Sequence, residues 1–363
     1  MTNLPPAPQI SVQTLPITSL LVDVYGLAEL SPKAHNVSVL WLHHPRTKNR
    51  ANMADIASRC VGAWNAFSGS RERGLIAIAW DQRNHGSRLV DETSNGAWRE
   101  GNPNHALDMW GMINGMVQDQ SLLLDVIEGY LFPKSERSID QHLALGISLG
   151  GHSVWQLVFA DKRIRAGVMV IGCPDYQLLM TDRARLSRLP TYSAQDNGDS
   201  FIGSKDFPLA LINACRKYDP KGIFFGTYAV PSPETEASVP KNSRLAHQAY
   251  IRQQMLYERL QGKKLLICQG GQDKLVPLRA SEPFMQWFKH HATAATPGRE
   301  DQRFSVDERV YPGIGHEFSA EMVKDAVQFI VHAVAGAKED KFNREIDPLD
   351  GSGGGQVMFS SKL

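Results

Sequence analysis

Gly146-Ile147-Ser148-Leu149-Gly150-Gly151 joins the apolar run His142 to Ile147 (HLALGI) to the run His152 to Ala160, whose composition suits a helix. A serine with glycine two residues away on either side is a G-x-S-x-G string. Alone it also describes an ordinary tight connection, and its meaning depends on lying between a strand and a helix. Here it does. A serine on so sharp a turn leaves no room for Cβ atoms at the flanking glycines. The turn lifts the Ser148 hydroxyl above the sheet, and the helix beginning beside it offers N–H groups and a positive dipole end to a developing oxyanion.

On both sides of this stretch, continuous apolar runs alternate with helix-like segments. The runs are Val37 to His43 (VSVLWLH), Leu75 to Trp80 (LIAIAW), Ala166 to Ile171 (AGVMVI), Lys264 to Gln269 (KLLICQ) and Phe304 to Tyr311 (FSVDERVY). Apolar runs of this kind are strands buried on both faces. Met53 to Phe67 and about Leu107 to Leu131 carry apolar residues at helical spacing, long enough for right-handed crossovers. The expected fold is α/β, a mostly parallel central sheet flanked by helices. Residues 37–173 and 263–336 form its core. Residues 174–262 break the rhythm, with short helical pieces such as Pro208 to Arg216 and Arg244 to Leu260, and read as a helical cap inserted over the sheet. Residues 1–36 are an N-terminal extension with room for edge strands, and residues 337–363 a flexible tail.

Two further strand ends carry chemistry. Lys264 to Gln269 runs into Gly270-Gly271-Gln272-Asp273-Lys274, which puts a carboxylate in the following loop. Phe304 to Tyr311 runs into Pro312-Gly313-Ile314-Gly315-His316, a loop that frees one histidine to swing over the sheet. A serine hydroxyl is a poor nucleophile until an imidazole takes its proton, and the imidazole needs a carboxylate to fix its tautomer. Ser148, Asp273 and His316 are therefore the candidate catalytic residues. Asp175, in Gly172-Cys173-Pro174-Asp175 after the next strand, competes for the acid role. Such a triad transfers an acyl group to water, so the substrate is expected to be an ester, thioester or amide.

With these motifs in this order, residues 37 to 335 resemble the α/β-hydrolase superfamily, particularly its esterase, thioesterase and prolyl-oligopeptidase-like members. The resemblance extends to Trp80-Asp81-Gln82-Arg83-Asn84-His85-Gly86-Ser87, which is similar to a structural turn near the site, so Asp81 and His85 are read as supporting residues. It implies an oxyanion hole with Leu149 as the first backbone donor. Members usually follow the first central strand with His-Gly, whereas this chain has His43-His44-Pro45-Arg46. Proline has no N–H. The second donor then falls to the backbone of His44, of Arg46, or to another group, with His44 the candidate carried forward. A metal at the His43-His44 pair is disfavoured because neighbours on a strand point to opposite faces. His290-His291 reads as a solvated helix end.

Composition bounds the rest. The 363 residues are 42% hydrophobic and 21% charged, the range of globular proteins. Lys plus Arg total 39 against 38 Asp plus Glu, a net charge of +1, which leaves no electrostatic footprint for nucleic acid. Cys60, Cys173, Cys215 and Cys268 have neither CxxC pairing nor regular spacing, so no disulfide framework, metal site or cofactor is expected. The N-terminal segment lacks the basic and apolar regions of a secretory signal, and no apolar run approaches a membrane span of about 20 residues. The protein is expected to be soluble. Ser361, Lys362 and Leu363 form a receptor-read peroxisomal address behind the glycine-rich stretch Gly351, Gly353, Gly354, Gly355, so the expected location is the peroxisome, or the cytoplasm if the address is idle. The import receptor and a small acyl substrate are the expected partners.

The functional expectation is hydrolysis of an ester or thioester of a small or apolar acyl group through an acyl-enzyme. The alternatives are a peroxisomal acyl-CoA thioesterase of a secondary-metabolite pathway and a non-catalytic binding protein of the same fold. Tyr176, Phe207, Phe224, Phe225, Tyr228 and Tyr250 in the cap are available either to line an acyl pocket or to form the cap's own core.

Overall fold

The computed structural model describes residues 4–293 and 304–336. The glycine-rich stretch and Ser361, Lys362 and Leu363 lie outside the described residues. Each apolar run of the core becomes a strand: β3 (Asn36–His43), β4 (Arg73–Trp80), β5 (Ser138–Ile147), β6 (Ile164–Val170), β7 (Lys264–Gly270) and β8 (Ser305–Tyr311). Two more strands, β1 (Val12–Ile17) and β2 (Leu20–Tyr25), come from the N-terminal extension. The sheet order is β1-β2-β4-β3-β5-β6-β7-β8. The hairpin β1-β2 joins β4 antiparallel, and every pairing from β4 to β8 is parallel. β1 is the edge and reads e-e-e-i-e-B in burial, too polar for a strand signal of the kind its neighbours give.

Alternate side chains of the central strands feed two cores, as the strand period of two requires. Val37, Val39 and Trp41 of β3 join the core under α2 (His105–Leu131), α3 (Leu149–Ala160) and α9 (Leu278–Thr293). Leu40 and Leu42 face the opposite core, closed by α1 (Ala54–Ala66) and α10 (Ala320–Val334). Both layers are apolar throughout, so β3 and β4 are buried over nearly their whole length and read as unbroken apolar runs.

The segment between β6 and β7 forms α4 (Tyr176–Leu186), α5 (Leu209–Tyr218), α6 (Pro220–Phe225), α7 (Pro233–Ala237) and α8 (Arg244–Leu260). It is continuous with the body beneath. Phe224 and Phe225 of α6 and Leu256, Tyr257 and Leu260 of α8 share the core of Trp155 and Phe284. α4 and α5 close a third cluster with the N-terminal half of α2, which also takes in Leu149. Of the six cap aromatics, Tyr176, Phe207, Phe224 and Phe225 are buried packing residues, whereas Tyr228 and Tyr250 are exposed. The expectation for His290-His291 holds for His290, which is exposed, but not for His291, which is buried with its Nδ1 2.9 Å from the Trp287 carbonyl and its ring packed on Trp287.

After β3 the chain turns to β4 on one side, and after β5 to β6 on the other. The strand order reverses here, and crevices outside the carboxyl ends of strands at such a switch point are where open α/β sheets bind ligands.

Candidate active site

Ser148 stands at the carboxyl end of β5, between the strand and α3, with φ 55° and ψ −111°. A serine at positive φ is strained, and the surroundings hold it there. Its N–H donates to the Val170 carbonyl at 2.9 Å, stapling the turn to the end of β6. Gly146 and Gly150 are required by close approach. A Cβ on Gly150 would lie inside van der Waals distance of the His43 carbonyl oxygen, and one on Gly146 would strike the Gly150 carbonyl. The helix starts one residue after the serine, so the Leu149 amide is among the first-turn N–H groups that have no partner within the helix.

The loops after β7 and β8 meet above this turn. β7 and β8 pair up to Gly270↔Tyr311, and beyond it Gly271 N–H donates to Tyr311 O at 2.9 Å and Gln272 N–H to Ile314 O at 2.8 Å. These bonds bring Asp273 beneath His316. Asp273 Oδ1 accepts the N–H groups of Leu275 (2.8 Å) and Val276 (2.9 Å), which leaves Oδ2 for His316 Nδ1 at 2.7 Å. A carboxylate only accepts, so Nδ1 carries the proton and Nε2 of the neutral ring is the acceptor. Ser148 Oγ lies 2.8 Å from that Nε2 and donates to it. The structure thus brings Ser148, His316 and Asp273 into one hydrogen-bonded chain, with the Asp273 side chain 1% and the His316 side chain 23% exposed. In this geometry the imidazole is placed to accept the serine proton as the oxygen becomes a nucleophile.

Asp175 has other work. It is the N-cap of α4, accepting the Leu178 N–H at 2.9 Å, and it is buried beside Asp219 and Lys221. Burial pushes its carboxyl above the usual range, against the pull of the Lys221 ammonium. Its hydrogen bonds do not reach His316.

The end of β3 is packed against the serine turn through the His43 main chain. The His44 imidazole accepts the Gln82 N–H at Nε2 (2.9 Å) and donates from Nδ1 to the Pro45 carbonyl (2.8 Å), while the Gln82 side-chain amide donates to the His44 carbonyl. Burial lowers its pKa to about 4, so the ring is neutral and fixed. Asp81 binds the Arg50 guanidinium, the Arg50 N–H and both polar groups of Ser87, which makes it the fastening of its turn. His85 packs edge-on against His44.

Two residues near the triad were not singled out from the sequence. His152, one helical turn after Ser148, is buried and accepts the Cys173 N–H at Nδ1 (2.9 Å). Burial, with the Arg183 charge, pushes its pKa down to about 3. The four-residue spacing from Ser148 was its only sequence signal. Arg183, on α4, lies within electrostatic reach of both His152 and Asp273. Nothing local in its sequence marks it.

Together the sheet order, the crossovers and the strand-end site define the α/β-hydrolase fold. Among solved structures, TT1662 from Thermus thermophilus superposes with a TM-score of 0.51 at 16% identity, covering 90% of this chain and 98% of that one. An S-formylglutathione hydrolase from Agrobacterium tumefaciens gives 0.50 at 14% identity, covering 92% and 98%. At such identities the likeness is one of fold. No protein-family model matches the chain, and no curated protein matches it.

Proposed function

We propose that the chain is a serine hydrolase that cleaves an ester or thioester of a small or apolar acyl group through an acyl-enzyme. The observation that carries the proposal is the unbroken chain Ser148 Oγ to His316 Nε2 to His316 Nδ1 to Asp273 Oδ2, at 2.8 and 2.7 Å. Ser148 Oγ attacks the carbonyl carbon while His316 Nε2 takes the hydroxyl proton, and Asp273 holds the resulting imidazolium. The oxyanion forms over the N-terminus of α3, where the Leu149 N–H is the first donor and the His44 main-chain N–H the second. Collapse of the intermediate expels the alcohol or thiol, protonated by His316. Water then repeats the sequence at the acyl-serine. The likeness of fold to the S-formylglutathione hydrolase agrees with this reading but does not choose the acyl group.

The test is turnover of a panel of short aryl esters and acyl thioesters by the purified full chain. A burst of the first product followed by slower steady turnover is expected, and Ser148→Ala should lower kcat by about 10^6-fold, the scale on which nucleophile removal acts in such triads. Equal rates for the two proteins would refute the assignment.

A further inference from the structure

Against the loop that follows Asp273 lies a cavity of about 330 Å³ bordered by four cationic residues, Arg46, Arg99, Arg183 and Lys274, on a lining that is otherwise largely apolar and includes Trp98 and Leu275. It adjoins two loops of the site, since Lys274 and Leu275 directly follow Asp273 and Arg46 lies two residues after His44. Among the described residues no carboxylate comes within ion-pairing distance of any of the four cations. The acids next to them in sequence are engaged elsewhere: Glu100 accepts the Ala97 N–H at 2.7 Å, Asp182 pairs with Arg185 and Arg279, and Asp273 binds His316.

Arg183 shows the deficit most clearly. Its Nη1 reaches only the Met109 sulfur (2.8 Å) and His105 Nε2 (3.3 Å), and its buried Nε has no acceptor. His105 donates from Nδ1 to the Gly96 carbonyl at 2.9 Å, which leaves Nε2 as the acceptor and the ring uncharged. Arg46 donates to the Asn95 carbonyl at 2.8 Å and has Glu100 within electrostatic reach, but forms no salt bridge with it. Burial, and then the charge of Arg46, hold the Arg183 pKa down to about 10. A half-buried guanidinium pressed by a like charge and given a thioether for a partner is an arrangement that a bound anion relieves. The C-terminal end of α4 faces the same cavity through Leu186 and Ser187, and its dipole has the wrong sign for an anion. That end is worth about half an elementary charge, against four full positive charges.

We propose that this cavity receives an anionic group of the substrate, a carboxylate or a phosphate, so that the serine acts on esters or thioesters that carry a negative charge. The proposal rests on the serine-hydrolase reading above and narrows its substrate class. The volume is at the small end of ligand sites, which run from about 300 to 1,000 Å³, so it suits a short acyl chain ending in a carboxylate or one phosphate of a larger leaving group. Arg183 and Arg46 would each supply charge-assisted hydrogen bonds, bidentate where the anion is planar.

The experiment reads kcat/KM ratios with the full chain, so that a general change in activity cancels. In one arm the 4-nitrophenyl half-ester of glutarate is compared with 4-nitrophenyl pentanoate; in the other, acetyl-CoA is compared with S-acetyl-pantetheine, which lacks the phosphates. The proposal expects a preference of about tenfold or more for the anionic member of at least one pair, the first arm marking an acyl carboxylate and the second a leaving-group phosphate. Arg183→Gln and Arg46→Gln should each pull that ratio toward one. Ratios near one in both arms for the parent chain, or an unchanged ratio in both variants, would overturn it. Because Arg183 is enclosed and its variant can misfold, the Ser148→Ala chain is also melted with glutarate and with inorganic phosphate. A saturable rise in Tm that Arg46→Gln reduces is expected, and no rise with either anion would count against the pocket. Absence of turnover on every ester and thioester together with an anion-dependent Tm would refute the serine reading and leave the pocket standing.

Discussion

Asp273 and Asp175 are both buried carboxylates after parallel strands, and hydrogen bonds separate them. Asp273 gives one oxygen to two backbone amides and the other to His316; Asp175 spends its side chain on the first turn of α4. Asp273→Asn should therefore lower kcat by about 10^4-fold with little loss of stability, the effect of a mis-set tautomer. Asp175→Ala should cost about 1 kcal/mol of stability, the value of a lost cap, without that fall in kcat. Kinetics and urea denaturation of the two variants distinguish them, and the reverse pattern would transfer the acid role to Asp175. Gly150 gives a second contrast: with the His43 carbonyl against it, Gly150→Ala should shift the serine turn and destabilise by about 1–3 kcal/mol, the range for overpacking. At this scale the sequence was most informative, because Ser148, Asp273 and His316 each announce themselves by a local pattern at the end of an apolar run. His152 and Arg183 have no such pattern. Their positions depend on which helix packs on which strand end.

The elements that aim these residues are two loops and the helices that follow them. The loop bearing His316 is held between the Gln272-to-Ile314 hydrogen bond on one side and α10 on the other, whose N-cap Ser319 accepts the Met322 N–H at 3.3 Å. Ser319→Ala should lower stability by about 1 kcal/mol, measured by urea unfolding, while Ser148 remains reactive. An unchanged midpoint would show that the cap does not hold this end of the helix. The core strands and the long helices were legible because burial on both sheet faces leaves continuous apolar runs and one-sided burial leaves a helical period. The boundaries of α8 agree with the run Arg244 to Leu260. β1 and β2 were readable only as a place for edge strands; β1, the exposed edge, carries little apolar signal, whereas β2 lies between β1 and β4 and is largely buried. The fate of the cap aromatics was open for a different reason: composition cannot say whether a ring faces a void or a neighbour. Phe224, against Phe159 and Trp287, faces neighbours.

Across the molecule, the described residues include seven buried histidines whose pKa burial lowers, five of them strongly. Burial pushes the pKa down to about 4 at His43, His44 and His142 and to about 3 at His105 and His152. In the unfolded chain these rings titrate near 6.5, so as pH falls the unfolded state takes up protons that the folded state refuses. The stability they allow is fully present above about pH 6.5 and is lost as pH falls toward 4. Each ring contributes at most about 1.4 kcal/mol per pH unit, so the set is enough to unfold a protein of ordinary stability. The urea midpoint should fall steeply between pH 7 and pH 5, and a flat profile would contradict the buried neutral state. The cationic cavity also belongs to this scale. It gathers Arg46, Arg99, Arg183 and Lys274 from three loops and a helix spread over more than half the chain, and a net charge of +1 conceals it. Everything in the functional account depends on an activated Ser148, and the most direct measurement is labelling of the folded full chain with a fluorophosphonate, followed by digestion and mass spectrometry. A single adduct on Ser148, absent from Ser148→Ala, is the predicted result. A folded protein that remains unlabelled at Ser148, or takes the label elsewhere, would contradict the account.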